Sequence, residues 1–337
     1  MSNIVTHPAD SGGCYFYRIK VPSAALGHFK HVDKIVEAPF YLPQENFRGG
    51  ETEYSGLLEL APKVIITQRQ TEGSQADALE RYSSWGYNVL HDLDDLLWNV
   101  PAGNPYINHF GGKNLKALRR SLKAVNRSVV STEPLREEML SKFGINSLVL
   151  PNFVSGEFLT PPRPRKEGGK LRVGWAGSST HRADLAPLLS VVRETEGIYQ
   201  WVFLGWAPDE FKDHIEFHPP VKVQEYMPAL KALDLDLAIA PLELNRFNEC
   251  KSHLKLLEFS ALGMPVVCSQ VYPYQESPGI LIKPSNKEWR NWLEVLDLYD
   301  KSETLRMEDA QKHYRWAQKY VLEQPWNVEL IRHTWLD

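Results

Sequence analysis

The sequence has little cysteine and no long apolar run, and each absence excludes a class of protein. Its 337 residues include three cysteines, Cys14, Cys250 and Cys268, which favours a reducing compartment over a disulfide framework. No apolar run reaches the ~18 residues that span a bilayer. The first residues also lack the basic start and apolar core of a signal peptide. The sequence therefore predicts a cytoplasmic protein without a transmembrane segment.

Metal-ligand spacing and net positive charge are also missing. No group of cysteine and histidine has the spacing of a zinc site. The 42 acidic residues outnumber the 38 lysine and arginine residues, which gives a net charge of -4. A molecule with this charge has no general attraction for nucleic acid or anionic lipid, so any such contact must be local.

Strand-like runs alternate with helical patterns in two series. KVIITQ, NVLHDL and RSVVST belong to the first series, and the second runs from LRVGWAG to GILIK. Strands that alternate with helices predict parallel, doubly wound sheets. We expect two α/β domains that face a cleft, at 1–155 and 171–310. A linker rich in proline, glycine and charge joins them at 156–170, and a helical tail, 311–337, should cross back to the first domain.

The segment KSHLKLLEFSALGMPVV combines a predicted buried helix with charged residues. Lys251, Lys255 and Glu258 are spaced four and then three residues apart, which places them on one face of a helix. Gly263 should end this helix, and VVCS predicts a short strand after it. The other faces of the helix are apolar, so the helix should be buried and its charged face needs a partner.

This segment resembles the donor-site motif of retaining glycosyltransferases with the GT-B fold, of the group 1 type. That motif has two glutamates separated by seven residues, followed by Gly-x-Pro and a valine-rich strand. Glu258 matches the second glutamate, whereas Cys250 stands at the first and Glu249 is one residue away. LRVGWAGSSTHRADLAPLL and LDLAIAPLELNRFN extend the resemblance, which is weaker in the N-terminal half. It implies two Rossmann-like domains, with the acceptor in the first and a nucleotide sugar in the second, and no cofactor or metal.

The resemblance places a nucleotide-sugar donor, with a UDP-sugar favoured, beside the charged helix face. Lys251 and Lys255 would neutralise phosphate oxygens, and Glu258 would accept hydrogen bonds from the ribose hydroxyls. Ser252 lies where the start of the helix offers free backbone N–H groups. Without the motif, lysines that merely pair with Glu258 would be the simpler interpretation. The other predicted donor-binding residues lie in or near two turns that follow strands: Gly12, Gly13, Arg18, Ser178, Ser179 and Arg182.

The sequence HDLDDLLW follows a predicted strand and contains three carboxylates. Its Asp-x-Asp triplet resembles the metal motif of the other large glycosyltransferase fold, but the donor motif in the C-terminal half argues against that interpretation. Ligands of α/β sheets bind at the carboxyl ends of strands, so one carboxylate could orient or deprotonate an acceptor hydroxyl. His91, which precedes them, could contact the donor sugar. Alternatively, these polar residues could simply cap the turn after the strand. Arg182 and Lys255 would stabilise the negative charge that develops on the leaving group. The predicted catalytic residues are therefore His91, Asp92, Asp94, Asp95, Arg182 and Lys255.

A stretch without aspartate or glutamate extends from Leu96 to Thr132 and carries six basic residues. Five of them recur at helical spacing opposite an apolar face, and we call them the basic stripe: Lys113, Lys116, Arg120, Lys123 and Arg127. Solvated helix faces usually mix both signs of charge. The pattern therefore favours contact with nucleic acid, an anionic glycan or anionic lipid headgroups over an ordinary solvated face, which stays open as the alternative.

Together these features predict a metal-independent retaining glycosyltransferase. The basic stripe favours a hydroxymethylated base in DNA as the acceptor, as in viral enzymes of this type, which would act in the host cytoplasm. Such a base would have to leave the stack to reach the cleft. An acceptor on a cell-surface or lipid-linked glycan is the main alternative. A nucleotide-sugar-binding protein without transfer activity, or an epimerase of the same fold, also stays open because Cys250 replaces the first glutamate.

Overall fold

The computed structural model describes residues 2–27, 32–37, 60–107, 111–166, 168–285 and 287–337. Within these ranges, the strands form two parallel sheets, one from each half of the chain. The strands of the first sheet are β1 Ser2–His7, β2 Val32–Glu37, β3 Val64–Gln68, β4 Val89–Leu93, β5 Arg127–Val130 and β6 Leu148–Val149. They lie in the order β2-β1-β3-β4-β5-β6.

The second sheet has the strand order of a Rossmann fold. Its strands are β7 Arg172–Gly177, β8 Gln200–Gly205, β9 Glu216–His218, β10 Leu237–Ala240, β11 Val266–Ser269 and β12 Leu281–Ile282. They lie in the order β12-β11-β10-β7-β8-β9. The direction of winding reverses between β7 and β10, and in the first sheet it reverses between β1 and β3. Ligands of such sheets bind at the carboxyl ends of the strands that flank these reversals.

Helices connect the strands and cover the sheets. Those of the first half are Gly13–Tyr15, the π-helical segment Phe16–Lys20, Val21–Leu26, Gly73–Ser84, Gly112–Ala124 and Glu133–Phe143. Those of the second half are Leu188–Glu194, Val223–Ala232, Arg246–Glu249, Leu254–Ala261, Glu288–Lys301, Glu303–Ala317 and Pro325–Leu336. Because helices lie on both faces, the inner strands β3, β4 and β10 are buried along their whole length, as is usual for parallel sheets.

Gly263 shows why the Gly-x-Pro sequence is needed after the helix Leu254–Ala261. Its φ is +74°, a left-handed conformation that glycine adopts without strain. A Cβ atom at this position would lie only 2.4 Å from the backbone oxygen of Thr160. The glycine therefore lets the segment that joins the two halves pack directly against the end of the helix.

The C-terminal tail returns to the first half of the chain. Val321 forms an isolated parallel bridge with Val154, and the helix Pro325–Leu336 packs against the helix Val21–Leu26. Arg127 Nη2 also donates a hydrogen bond of 3.1 Å to the backbone oxygen of Trp335. The largest hydrophobic cluster contains residues from both halves and from this tail. These contacts hold the two sheets together around a cleft.

Candidate functional site

The cleft between the two halves contains a central cavity of about 250 Å³ and a wider one of about 720 Å³. The central cavity is lined by Gly13, Cys14, Tyr17, Arg18, Asp94, Asp95, Asn152, Thr180, His181, Lys251, Ser252, Leu254, Lys255, Glu258 and Tyr274. The wider cavity shares part of this lining and continues toward Asp10, Thr71 and Glu72. Both open at the turns that follow β1 and β7, which is the edge where the topology predicts a ligand.

Glu258 lies at the buried end of the central cavity, with 5% of its surface exposed. The hydroxyl of Tyr17 donates to its Oε1 at 2.7 Å, and the hydroxyl of Tyr226 donates to its Oε2 at 3.1 Å. Burial raises the pKa of Glu258, while Lys255 lowers it. A carboxylate has about four acceptor positions, so Glu258 can accept further hydrogen bonds beside those from the tyrosines. Tyr17 belongs to the first half, so this contact also bridges the cleft.

Lys255 and Lys251 reach the same cavity from different elements. Lys255 lies on the helix Leu254–Ala261, and its Nζ donates to the backbone oxygen of Ala176 at the end of β7. Burial lowers the pKa of Lys255 to about 8, against the opposing effect of Glu258. Lys251 precedes that helix, in the turn that follows Arg246–Glu249. The prediction of one helix carrying all three charged residues is therefore wrong, although the fold brings both lysines to the cavity.

Neither residue near the first glutamate of the motif reaches the cleft lining. Cys250 is fully buried, and its backbone oxygen accepts a 2.8 Å hydrogen bond from Thr132 Oγ1. Glu249 lies against Arg246, with its Oε2 3.4 Å from Nη1. Position 250 thus serves the contact between the halves, and Glu249 lines neither cavity.

The turn after β7 brings a histidine into the central cavity in place of the predicted arginine. Arg182 is exposed, and its Nη2 lies 3.7 Å from Glu210 Oε1. Ser179 is also exposed and lines neither cavity, whereas Ser178 lines the wider one. His181 lines the central cavity instead. The predicted donor contacts of Arg182 and Ser179 are therefore not supported by the geometry, because the helical turn directs both residues outward.

The glycine turn after β1 also lies at the cleft. Gly12 N donates to Asp10 Oδ1 at 2.7 Å, and both Gly12 and Gly13 line the wider cavity. A Cβ atom at Gly13 would meet no described atom within 4 Å. Packing within the described part of the protein therefore does not require glycine at this position, which leaves room for a ligand against the backbone.

Arg18 and Asp92 form a buried ion pair beneath the cleft, with side chains that are 1% and 0% exposed. Arg18 Nε donates to Asp92 Oδ1 at 2.9 Å, and Nη2 donates to Oδ2 at 2.7 Å. Its Nη1 donates to the backbone oxygen of Leu150 and to Asn152 Oδ1. Each nitrogen of the guanidinium is engaged inside the protein. Arg18 lines the central cavity but has no nitrogen left for a ligand, and Asp92 lines neither cavity, so the geometry does not support their predicted roles in donor binding and catalysis.

His91 is fully buried on β4 and lines neither cavity. Its Nε2 accepts a hydrogen bond of 3.0 Å from the backbone N–H of Gln70. Burial lowers its pKa to about 4, so the ring is neutral at pH 7. The predicted contact with the donor sugar is not supported, because the side chain is fully buried and lines neither cavity.

Asp94 and Asp95 do line the cleft, and an arginine that the sequence analysis missed holds them. Arg69 Nε and Nη2 each lie 2.5 Å from an oxygen of Asp94 and Asp95, respectively. Burial would raise the pKa of Asp94, but Arg69 outweighs this effect and holds it below its usual range. Arg69 has a φ of +49°, which is uncommon for a residue other than glycine and typical of functional sites. The three side chains together carry one net negative charge.

The basic stripe is shorter and less positive in the structure than in the sequence. Arg120 Nη2 lies 2.5 Å from Asp77 Oδ1 and 2.7 Å from Glu80 Oε2 on the neighbouring helix. Arg127 belongs to β5 and contacts the tail instead of continuing the helix. The three lysines of the stripe are exposed: Lys113, Lys116 and Lys123.

The helix Gly112–Ala124 also directs the stripe away from the cleft. It connects the parallel strands β4 and β5, so it runs antiparallel to them, from the cleft edge of the sheet toward the opposite edge. Its 13 residues span about 20 Å. Lys113 at its start is thus the stripe residue nearest the cleft.

Comparisons with solved structures show the fold. Sucrose-phosphate synthase from Thermosynechococcus elongatus matches with a TM-score of 0.67 and 13% identity, over 99% of this chain and 98% of that chain. HepE from Anabaena, in complex with UDP and glucose, matches with a TM-score of 0.66 and 13% identity over the same shares. A glycosyltransferase from Rickettsia africae gives a TM-score of 0.64 and 13% identity, over 98% of both chains. The chain therefore has the GT-B fold, which confirms the predicted fold class.

Comparison with protein-family models gives no match, and comparison with curated proteins gives none at a significant level. Among the helices that the structure describes, none is long and apolar enough to cross a membrane. In the same part of the chain, no group of three or more histidine, cysteine, aspartate or glutamate side chains is arranged to hold a metal ion. In the central cavity, the cationic side chains of Lys251 and Lys255 lie beside the buried carboxylate of Glu258. This arrangement suits a ligand with phosphate and hydroxyl groups.

Proposed function

We propose that this protein is a retaining glycosyltransferase that uses a nucleotide-sugar donor, with a UDP-sugar favoured. The observation that carries the proposal is the position of Lys251, Lys255 and Glu258 at the carboxyl edge of the second sheet, where its winding reverses. The lysines would bind the diphosphate, and Glu258 would accept hydrogen bonds from the ribose hydroxyls. HepE, which has the same fold, is described in complex with UDP and glucose, which supports this donor class.

In the proposed reaction, the acceptor oxygen attacks the sugar on the face that the diphosphate leaves. The bond between the sugar and the phosphate oxygen breaks as the new glycosidic bond forms, and the proton of the acceptor passes to the leaving diphosphate. Lys251 and Lys255 stabilise the negative charge that develops on this leaving group. Asp94 and Asp95, which line the same cavity, would orient the acceptor hydroxyl.

Donor binding can be tested with a pair of glutamate variants. Thermal stabilisation by a panel of nucleotide sugars identifies the donor, since a ligand at ~100 times its Kd adds about 2.7 kcal/mol. Glu258→Gln should then weaken UDP binding by roughly 1.5–3 kcal/mol, the range for a hydrogen bond to a charged group. Glu249→Gln is the matched control, because this residue lies on Arg246 outside both cavities. Equal UDP affinity of both variants and the native protein would refute the donor site.

Product analysis separates transfer from the alternatives that the sequence left open. A transferase should join the labelled sugar to an added acceptor with its anomeric configuration unchanged. A binding protein would leave the nucleotide sugar intact, and an epimerase would release free sugar and nucleotide without any acceptor. Detection of either of those two outcomes with all acceptors tested would exclude the proposed activity.

For the acceptor, we propose a neutral glycan hydroxyl. The wider cavity contains three carboxylates, of Asp10, Glu72 and Asp95, against two cations, Arg69 and Lys251. The charge of Arg69 is engaged with Asp94 and Asp95. An excess of negative charge repels a phosphate backbone but tolerates a neutral polyhydroxyl compound.

A hydroxymethylated base in DNA is the second candidate, which the exposed lysines of the basic stripe favour. Each candidate can be offered with labelled donor: hydroxymethylated DNA in one series, and neutral oligosaccharides or vesicles with lipid-linked glycans in the other. Transfer to DNA should fall steeply with salt and in the variant Lys113→Glu with Lys116→Glu. Label on DNA that depends on these lysines would replace the glycan proposal, and label only on the saccharide would support it.

A further inference from the structure

His181 is a cleft histidine whose ring is fixed in one orientation. Its Nδ1 lies 2.7 Å from Asp184 Oδ2, and Asp184 is only 4% exposed. Asp184 Oδ1 in turn accepts hydrogen bonds from the backbone N–H of Glu243 at 2.9 Å and from Asn248 Nδ2 at 2.8 Å. A carboxylate only accepts, so Nδ1 carries the proton of the neutral ring and Nε2 is the nitrogen that remains for a ligand.

Two lysines and one carboxylate are the charged groups that act most directly on His181. Burial lowers the pKa of His181 to about 4, and Lys251 and Lys255 add to this effect while Asp184 opposes it. The other ionisable groups that line the cavity are Cys14, Tyr17, Arg18, Asp94, Asp95, Glu258 and Tyr274. At pH 7 the imidazole is therefore neutral in the empty cleft. A ligand with negative charge would offset the effect of the two lysines on the pKa of His181, so that only burial would still lower it.

We propose that His181 takes up a proton at Nε2 when the donor diphosphate binds, and then donates a hydrogen bond from Nε2 to a phosphate oxygen. The proton comes from solvent, and no covalent bond of the donor changes in this step. The imidazolium supplies a third cation beside Lys251 and Lys255, in the turn where the sequence predicted that Arg182 would act. Asp184 is a positioning residue, since it sets the orientation of the ring. The inference rests on the proposed donor site.

The size of the effect depends on how close the bound phosphate charge comes to the ring. A phosphate charge about 4 Å from the ring favours the protonated form by roughly a thousandfold at the effective dielectric constant of a protein cleft. This factor would bring a histidine that is neutral in the empty site to about half protonation near pH 7. Donor binding should therefore strengthen as the pH falls from 8 toward 6.5, until protonation of the nucleotide itself opposes it.

Calorimetry of UDP binding in buffers of different ionisation enthalpy measures the proton uptake directly. At pH 7 the native protein should take up about half a proton more than His181→Asn. Protons that UDP and Lys255 exchange are common to both proteins and cancel in the difference. His181→Asn should also bind UDP about tenfold more weakly, as expected for loss of a charge-assisted hydrogen bond. His181→Gln provides a second variant, so that misfolding of one substitution does not decide the result.

His214→Asn is the matched control. His214 Nδ1 lies 3.1 Å from a carboxylate oxygen of Glu196, but the residue precedes β9 at the amino edge of the second sheet, away from the cleft. This variant should keep the proton uptake of the native protein. Equal uptake by the native protein and both His181 variants, with UDP still bound, would overturn this inference and leave the donor site standing. Failure of the native protein and the control to bind any nucleotide would overturn the donor site and this inference with it.

Discussion

The assignment of Arg18 and Asp92 to the protein interior can be tested by replacing them singly and together. Arg18→Met removes one partner of an ion pair whose side chains are 1% and 0% exposed. Breaking such a pair leaves an unpaired buried charge and costs about 3–5 kcal/mol. The backbone oxygen of Leu150 also loses its donor, which places the expected loss in the upper part of that range.

The double variant Arg18→Met with Asp92→Leu should be more stable than Arg18→Met alone, because it no longer contains the unpaired carboxylate. Its remaining cost is the loss of the donor to Leu150 O and Asn152 Oδ1, about 1–3 kcal/mol for each oxygen left unsatisfied. Urea unfolding followed by tryptophan fluorescence gives these free energies. UDP binding, measured on the folded protein, should be within about twofold of native in the double variant. A cost below about 1 kcal/mol for Arg18→Met, together with a large loss of UDP affinity, would refute the structural assignment and restore Arg18 to the donor site.

The remaining predictions concern metal, pH and one glycine. Sugar transfer should survive an excess of chelator, whereas full loss that manganese restores would revive the Asp-x-Asp interpretation. UDP affinity should fall by up to about tenfold per pH unit as the pH rises above about 8, because Lys255 loses its charge there in the empty cleft. In Lys255→Arg this fall of affinity above pH 8 should be absent, since arginine keeps its charge. Gly263→Ala should lower the free energy of unfolding by at least about 2 kcal/mol more than Gly168→Ala. Both glycines have a φ of +74°, but among the described atoms only position 263 meets backbone. Equal unfolding free energies for these two variants would contradict the packing argument.

The sequence by itself determined the fold class and brought four residues of the predicted donor motif to one cavity. Apolar runs such as VIITQ and RVGWAG form buried strands, because the period of a strand and the turn residues after it are local properties. Gly263 ends a helical region, as the Gly-x-Pro pattern predicts, and its neighbourhood shows why glycine is needed. One cavity is lined by Lys251, Ser252, Lys255 and Glu258. These residues are close in sequence and belong to the connection between β10 and β11.

The tertiary structure alone decided which of the other polar residues reach the cleft. Arg18 pairs with Asp92, 74 residues later in the chain, and Tyr17 donates a hydrogen bond to Glu258, 241 residues later. No local sequence pattern encodes either contact. Alternation along a strand would put Asp92 and Asp94 on the same face, but β4 ends at Leu93. Asp92 is therefore buried within the strand, whereas Asp94 lies beyond its end and lines the cleft. Arg69 could have been suspected only from its position at the end of a strand, and His181 only from the spacing of THRAD.

The charge of the basic stripe was misjudged for the same physical reason. Spacing along a helix shows which residues share a face, but not which side chains of a neighbouring helix lie against that face. Asp77 and Glu80 pair with Arg120 from a helix about 40 residues earlier in the chain. Local sequence therefore determines elements and their faces, whereas the order of strands in the sheet determines which faces and charges meet.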